Sequence, residues 1–194
     1  MLVLAASLGL ALTPFAHAAQ AAAAPATAAG AAVQAGNPFF KLSPLPFHYP
    51  QFDLIKDEHF APAFAEGMAQ HLKEIEAIAN SAQPATFDNT IVAMERSGQL
   101  LTRVSTTFSN LQGANTNARL DEIDTDMSPK LAAHGDAIYL NAKLYARVKA
   151  LYDKRDNLKL DAESKHLLER YHTDFIRAGA NPVSYTHLTL PTKA

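Results

Sequence analysis

From Glu58 to Gly179 apolar side chains recur every three or four residues, and nowhere do they alternate with polar ones over any length. That period belongs to an α-helix with one buried face and excludes a sheet, whose strands repeat every second residue. In the first stretch, about Glu58 to Asn80, Phe60, Phe64, Met68, Leu72, Ile75 and Ala79 share a face. Asp57 reads as its N-cap, and Pro62 lies in the first turn, where a missing N–H is tolerated. A second helix is expected from Asp88, with Ile91, Met94, Gly98, Leu101, Val104, Phe108 and Leu111 as its seam and Gly113 as C-cap. Gly98 in its middle costs about 1 kcal/mol against Ala, which close approach of another helix would offset. A third begins at Thr116 or Asn117 and carries Leu120, Ile123, Met127, Leu131, His134 and Ile138 on one face. Pro129 inside it predicts a kink, or a restart capped by Ser128. Asn141 caps a short fourth helix with Leu144, Val148 and Leu151. After the polar break at 153–157, Asp161 caps a fifth, with Leu168, Tyr171 and Phe175 inward and Gly179 closing it. The expected fold class is all-α, an amphipathic helical bundle or set of hairpins.

The two ends obey other rules. All 17 Lys and Arg and all 19 Asp and Glu lie at or after Lys41, and 16 of the first 36 residues are Ala. Leu2–Leu12 is a short apolar run, followed by Pro14 and the small-residue pattern Ala16-His17-Ala18, so residues 1–18 are expected to be a cleaved export signal, although a basic start is lacking. An Ala-rich N-terminal helix is the alternative. Residues 19–36 hold no apolar side chain larger than Val33 and read as a low-complexity spacer. Residues 37–181 form the expected helical domain, incomplete in itself. It opens on a Pro-rich arm from Asn37 to Pro50, expected to be extended and to pack its Phe and Tyr on a neighbouring surface. Val183–Thr192 is what GTCTCTTATACACATCTGACGCTGCCGACG encodes, a string that resembles the mosaic end of a transposon-based sequencing adapter. Residues 182–194 are therefore expected to be an adapter-derived tail, and the native chain to continue beyond Asn181.

Composition removes several function classes. With no Cys there is no disulfide framework, thiolate zinc site or cysteine nucleophile. A net charge of −2 without a basic cluster gives no basis for binding nucleic acid. After the leader no run reaches the roughly 20 apolar residues of a membrane span.

Candidate chemistry is equally sparse. None of the eight His is followed by Glu, so the His-Glu-x-x-His arrangement that sets two imidazoles and a carboxylate around zinc is missing. His166, Glu169 and His172 lie near one another on the fifth helix, but His172 is six residues beyond His166 and faces elsewhere. Asp121, Glu122, Asp124 and Asp126 form an acidic cluster. A calcium loop begun at Asp124 would place Pro129 and Gly135 where Gly and Glu are required, so the cluster reads as an acidic first turn favourable to the helix dipole. No catalytic, cofactor-binding or metal residue is assigned.

The blocks NPF (37–39), LPF (45–47), FDLIKDEHFAPAFAEGM (52–68), FDNTIVAMERSGQLLTRV (87–104), IYLNAKLYARVKALY (138–152) and ERYHTDFIRAGA (169–180) nevertheless resemble, in order and spacing, the N-terminal region of bacterial peptidyl-dipeptidases. These dipeptidyl carboxypeptidases are zinc peptidases of the thimet-oligopeptidase-like family. The resemblance covers about Asn37 to Asn181. It implies a longer, all-helical, monomeric parent enzyme in which this part forms one wall of a substrate channel. It implies zinc held far downstream by His-Glu-x-x-His and a distal Glu, and release of dipeptides from the C-termini of oligopeptides. None of those site positions occurs in this chain, so no site residue is carried over, and the fragment itself is expected to be inactive and zinc-free. With the leader, the expected location is periplasmic or secreted. The alternative is an exported, non-catalytic helical module that binds a peptide or protein.

Overall fold

A computed structural model of the chain describes residues 36–180. The expected leader (1–18), most of the spacer (19–36) and the expected tail (182–194) lie outside the described residues. Within them the chain forms five long helices and no strand: α1, Phe60–Ala79; α2, Gln99–Asn115; α3, Ala118–Tyr139; α4, Ala142–Tyr152; and α5, Ala162–Ala178. The all-α expectation holds.

Where local chemistry sets a helix end, the ends fall as expected. Asn117 accepts from the N–H groups of Arg119 and Leu120, Asn141 from those of Lys143 and Leu144, and Asp161 from that of Ser164. Each occupies orphan donors of a first turn. Gly179 closes α5 at φ 95°, a conformation that favours glycine.

Four expectations about the helices need correction. Asp57 does not cap α1. It begins a 3-10 turn, Asp57–His59, and the Lys56 N–H donates instead to His59 Nδ1 at 3.1 Å. The expected second helix is two pieces. Asp88–Val92 is a π-helical turn that runs into Ala93–Arg96, and the chain then breaks at Ser97-Gly98 before α2. Gly98 sits at φ 68°, so it ends one helix rather than thinning another, and the break rotates Leu100 into the core. Gly113 is inside α2, which runs on to Asn115. Finally, α3 passes through Pro129 without restarting at Ser128. Pro129 stands on the exposed face, so the carbonyl of Thr125 that it frees opens to water rather than into the core.

The helices enclose two cores. The first joins Phe39, Phe60, Phe64, Val104, Phe108, Leu120, Ile123 and Met127. There Phe108 meets Phe60 and Phe64 edge-on, with ring centroids 5.1 and 5.4 Å apart. The second joins Ile75, Ile91, Met94, Ile138, Leu144, Val148, Leu168 and Phe175. α1 spans both, giving its N-terminal half to one and its C-terminal half to the other. It crosses α2 at Gly67, where an added Cβ would lie 3.0 Å from the Leu101 backbone. The arm is extended only in part: Asn37, Lys41 and Leu45 are extended, but Pro38–Phe40 and Pro46–His48 are 3-10 turns, the second with Phe47 at a left-handed φ of 57°. Asn37 and Phe39 at its root are buried, whereas Phe47 is fully exposed and Tyr49 largely so.

Candidate functional site

Between the two cores α1 carries a polar seam. His71 Nε2 lies 3.1 Å from Ser97 Oγ, and its Nδ1 lies 3.0 Å from Nε2 of His134 on α3. The Ser97 hydroxyl is 2.6 Å from the Met94 carbonyl, and a carbonyl can only accept, so the single hydroxyl proton points there. Ser97 Oγ must then accept from His71 Nε2–H. That fixes His71 Nδ1 as the acceptor for His134 Nε2–H. The chain of donors thus runs one way, from His134 to His71 to Ser97 to Met94. It ends in the wrong sense for catalysis, because a serine nucleophile must give its proton to the imidazole. His134 Nδ1 is buried without a partner.

Electrostatics agree with neutral rings. Burial lowers the pKa of His71 against an opposing pull from Glu74. Burial, then the neighbouring His71, lowers that of His134. Glu74 is itself engaged, its Oε2 accepting from the Gly98 N–H at 2.7 Å. Gly98 has no room for a side chain, since a Cβ there would sit 2.8 Å from His71 Nδ1.

Arg147 of α4, only 9% exposed, clamps the loop that leaves α1. It donates to the carbonyls of Ser81 (3.2 Å) and Gln83 (2.9 Å) and to Asn89 Oδ1 (2.8 Å). Neither Arg147 nor the histidine seam is singled out as a cluster by the sequence. Their partners lie between 26 and 66 positions away, and the one local signal was His134 on an otherwise apolar face.

Between the arm and α2 lies a cleft of about 240 Å³, lined by Pro38, Lys41, Ile55, Arg103 and Thr106 among others. Arg103 Nη2 reaches the Phe39 carbonyl at 3.2 Å, closing the inner end.

The weighed candidates lie apart from these features. His166 is exposed, Glu169 pairs with Arg155 at 3.6 Å, and His172 stacks on Tyr152 with centroids 3.7 Å apart. Of the acidic cluster, Glu122 pairs with Arg119 and Asp126 with Lys130, both in solvent. Among the described residues no three His, Asp or Glu stand together as ligands for one metal ion, so the residues present do not fit zinc. No helix among them is long and apolar enough to cross a membrane.

No family model matches the chain. It is 47% identical over 144 residues to a dipeptidyl carboxypeptidase of Escherichia coli (strain K12), covering 74% of this chain and 21% of that protein. A dipeptidyl carboxypeptidase of Salmonella typhimurium (strain LT2) is 46% identical over 144 residues, with the same coverage. Oligopeptidase A of Salmonella typhimurium (strain LT2) is 23% identical over 133 residues, 69% of this chain and 20% of that protein. The chain spans about a fifth of the length of these relatives.

Proposed function

Because the chain is homologous to dipeptidyl carboxypeptidases, we propose that it is the N-terminal scaffold part of a zinc-dependent peptidyl-dipeptidase. In this proposal the parent is a monomer that releases dipeptides from the C-termini of oligopeptides, and these helices supply one wall of its substrate channel. The observation that carries it is an identity of 47% sustained over 144 residues. Zinc, which would activate water against the scissile carbonyl, is assigned to the part of the parent that this chain lacks. No catalytic step is assigned to any residue of the chain. Leu2–Leu12 and Ala16-His17-Ala18 support export, and in this proposal the parent acts in the periplasm or outside the cell.

Genomic DNA tests the proposal directly. Past the codon for Pro182 the frame is expected to depart from Val183–Thr192 and to continue into His-Glu-x-x-His. A natural stop close by would overturn the enzyme and leave a free-standing helical module. The purified chain is expected to bind no stoichiometric zinc and to leave a blocked tripeptide intact; chelator-sensitive cleavage would contradict this. N-terminal sequencing of the exported protein is expected to begin at Ala19, and retention of Met1 would rule the leader out.

A further inference from the structure

We propose that the exposed side of the Pro-rich arm, residues 42–54, is the surface on which the remainder of the parent polypeptide docks, an inference that rests on the function proposed above. The exposed large apolar side chains of the described residues are concentrated there: Leu42, Leu45, Phe47, Tyr49, Phe52 and Leu54. Leu140 and Ile176 are the others, and both lie elsewhere. Exposed apolar side chains gathered in one segment of a folded surface mark an interaction site.

The backbone supports the same conclusion. Phe47 and His48 are consecutive non-glycine residues at positive φ, 57° and 55°, a conformation unfavourable for side chains with a Cβ. The turn is held locally, with His48 Nδ1 2.9 Å from the Ser43 carbonyl and the His48 N–H donating to the Leu45 carbonyl at 2.9 Å. Its product is a Phe47 ring that is 102% exposed. Among the described residues that geometry buries nothing. The root of the arm is fixed, because Asn37 Nδ2 donates to the His59 carbonyl at 2.8 Å and Phe39 lies against Phe60 with centroids 5.2 Å apart. The patch is therefore presented from an anchored base, beside the open mouth of the cleft against α2.

The occupant follows from size and from what is already closed. Both cores are sealed, with Phe60, Leu168 and Phe175 at 0% exposure, so the helical faces offer no comparable apolar surface. The relatives extend this chain to about five times its matched length, and that mass needs a face to rest on.

The test compares hydroxyl-radical labelling of Phe47 and Tyr49 in the 194-residue chain and in the full-length parent expressed from the genomic frame, with Phe175 as the buried reference. Labelling is expected to be fast in the chain at every concentration and several-fold slower in the parent. Equal rates in the two would overturn the docking surface while leaving the enzyme proposal standing. Protection that rises with concentration in the chain alone would make a second copy the occupant and overturn it also. A natural stop in the frame would remove the enzyme proposal, and this inference with it. As a second measurement, Phe47→Asp with Tyr49→Asp is expected to lower the melting temperature of the parent and leave that of the chain unchanged; an equal loss in both would show the arm to be internal structure and refute the proposal.

Discussion

Single residues carry the seam, and their chemistry sets a pH response. Unfolded imidazoles take up protons from about pH 6.5 downward, while His71 and His134 resist because burial lowers both pKa values. In that window the unfolded chain binds more protons than the folded one, so stability falls as pH falls. The loss begins near the ordinary histidine value and is complete below the lowered folded ones. Melting temperatures recorded between pH 7.5 and 5 are expected to show this slope, and H71Q/H134Q to flatten it. His172 is shifted the same way by its own burial and keeps a residual slope in the double variant. Gly98→Ala is expected to cost about 1–3 kcal/mol from its left-handed backbone alone, and more because the methyl meets His71. A urea-denaturation cycle with His71→Ala separates the two, since only the collision disappears with the ring. Gly98 was legible as a point of close approach but not as a break, because the groups it meets, His71 and Glu74, lie well upstream on α1.

At the level of elements the glycines divide by surroundings. Gly67→Ala presses a methyl against the Leu101 backbone, which cannot swing aside, so a loss of about 1–3 kcal/mol is expected. Gly113 and Gly135 sit in helices with nothing within 4 Å of an added Cβ. Alanine at either is expected to stabilise by about 0.5–1 kcal/mol, and equilibrium denaturation of the three variants checks the split in sign. Arg147→Met removes the clamp on the 81–89 loop and is expected to cost about 2–4 kcal/mol, given three hydrogen bonds from a charged donor. The caps at Asn117, Asn141 and Asp161 could be read from the sequence because each acts within three residues of itself. Arg147 and the His71–His134 pair could not, because their partners meet only after the helices have packed. Helix periodicity similarly found the buried Leu120, Ile123 and Met127 but gave no sign that Phe47 would face solvent.

Across the whole molecule, the faces Phe60/Phe64/Met68 and Leu168/Tyr171/Phe175 are the apolar surfaces that the helices must cover. The structure closes the centres of both faces, Phe60, Phe64, Leu168 and Phe175 being 0–1% exposed under α2, α3 and α4, and leaves Met68 and Tyr171 partly open. A single cooperative melt is therefore expected by calorimetry, with weak hydrophobic-dye binding that F47S/Y49S reduces without shifting the transition. Two separate transitions would show that α1 does not couple the cores. That shared helix also imposes an order on assembly. The first core is complete once Met127 has emerged, whereas the second waits for Phe175. A chain threading N-terminus first, from a ribosome or a translocation pore, can close one half while the Ile75 half of α1 has only Ile91 and Met94 to cover it. The polar groups gathered at His71 mark the boundary between the half that can close early and the half that must wait.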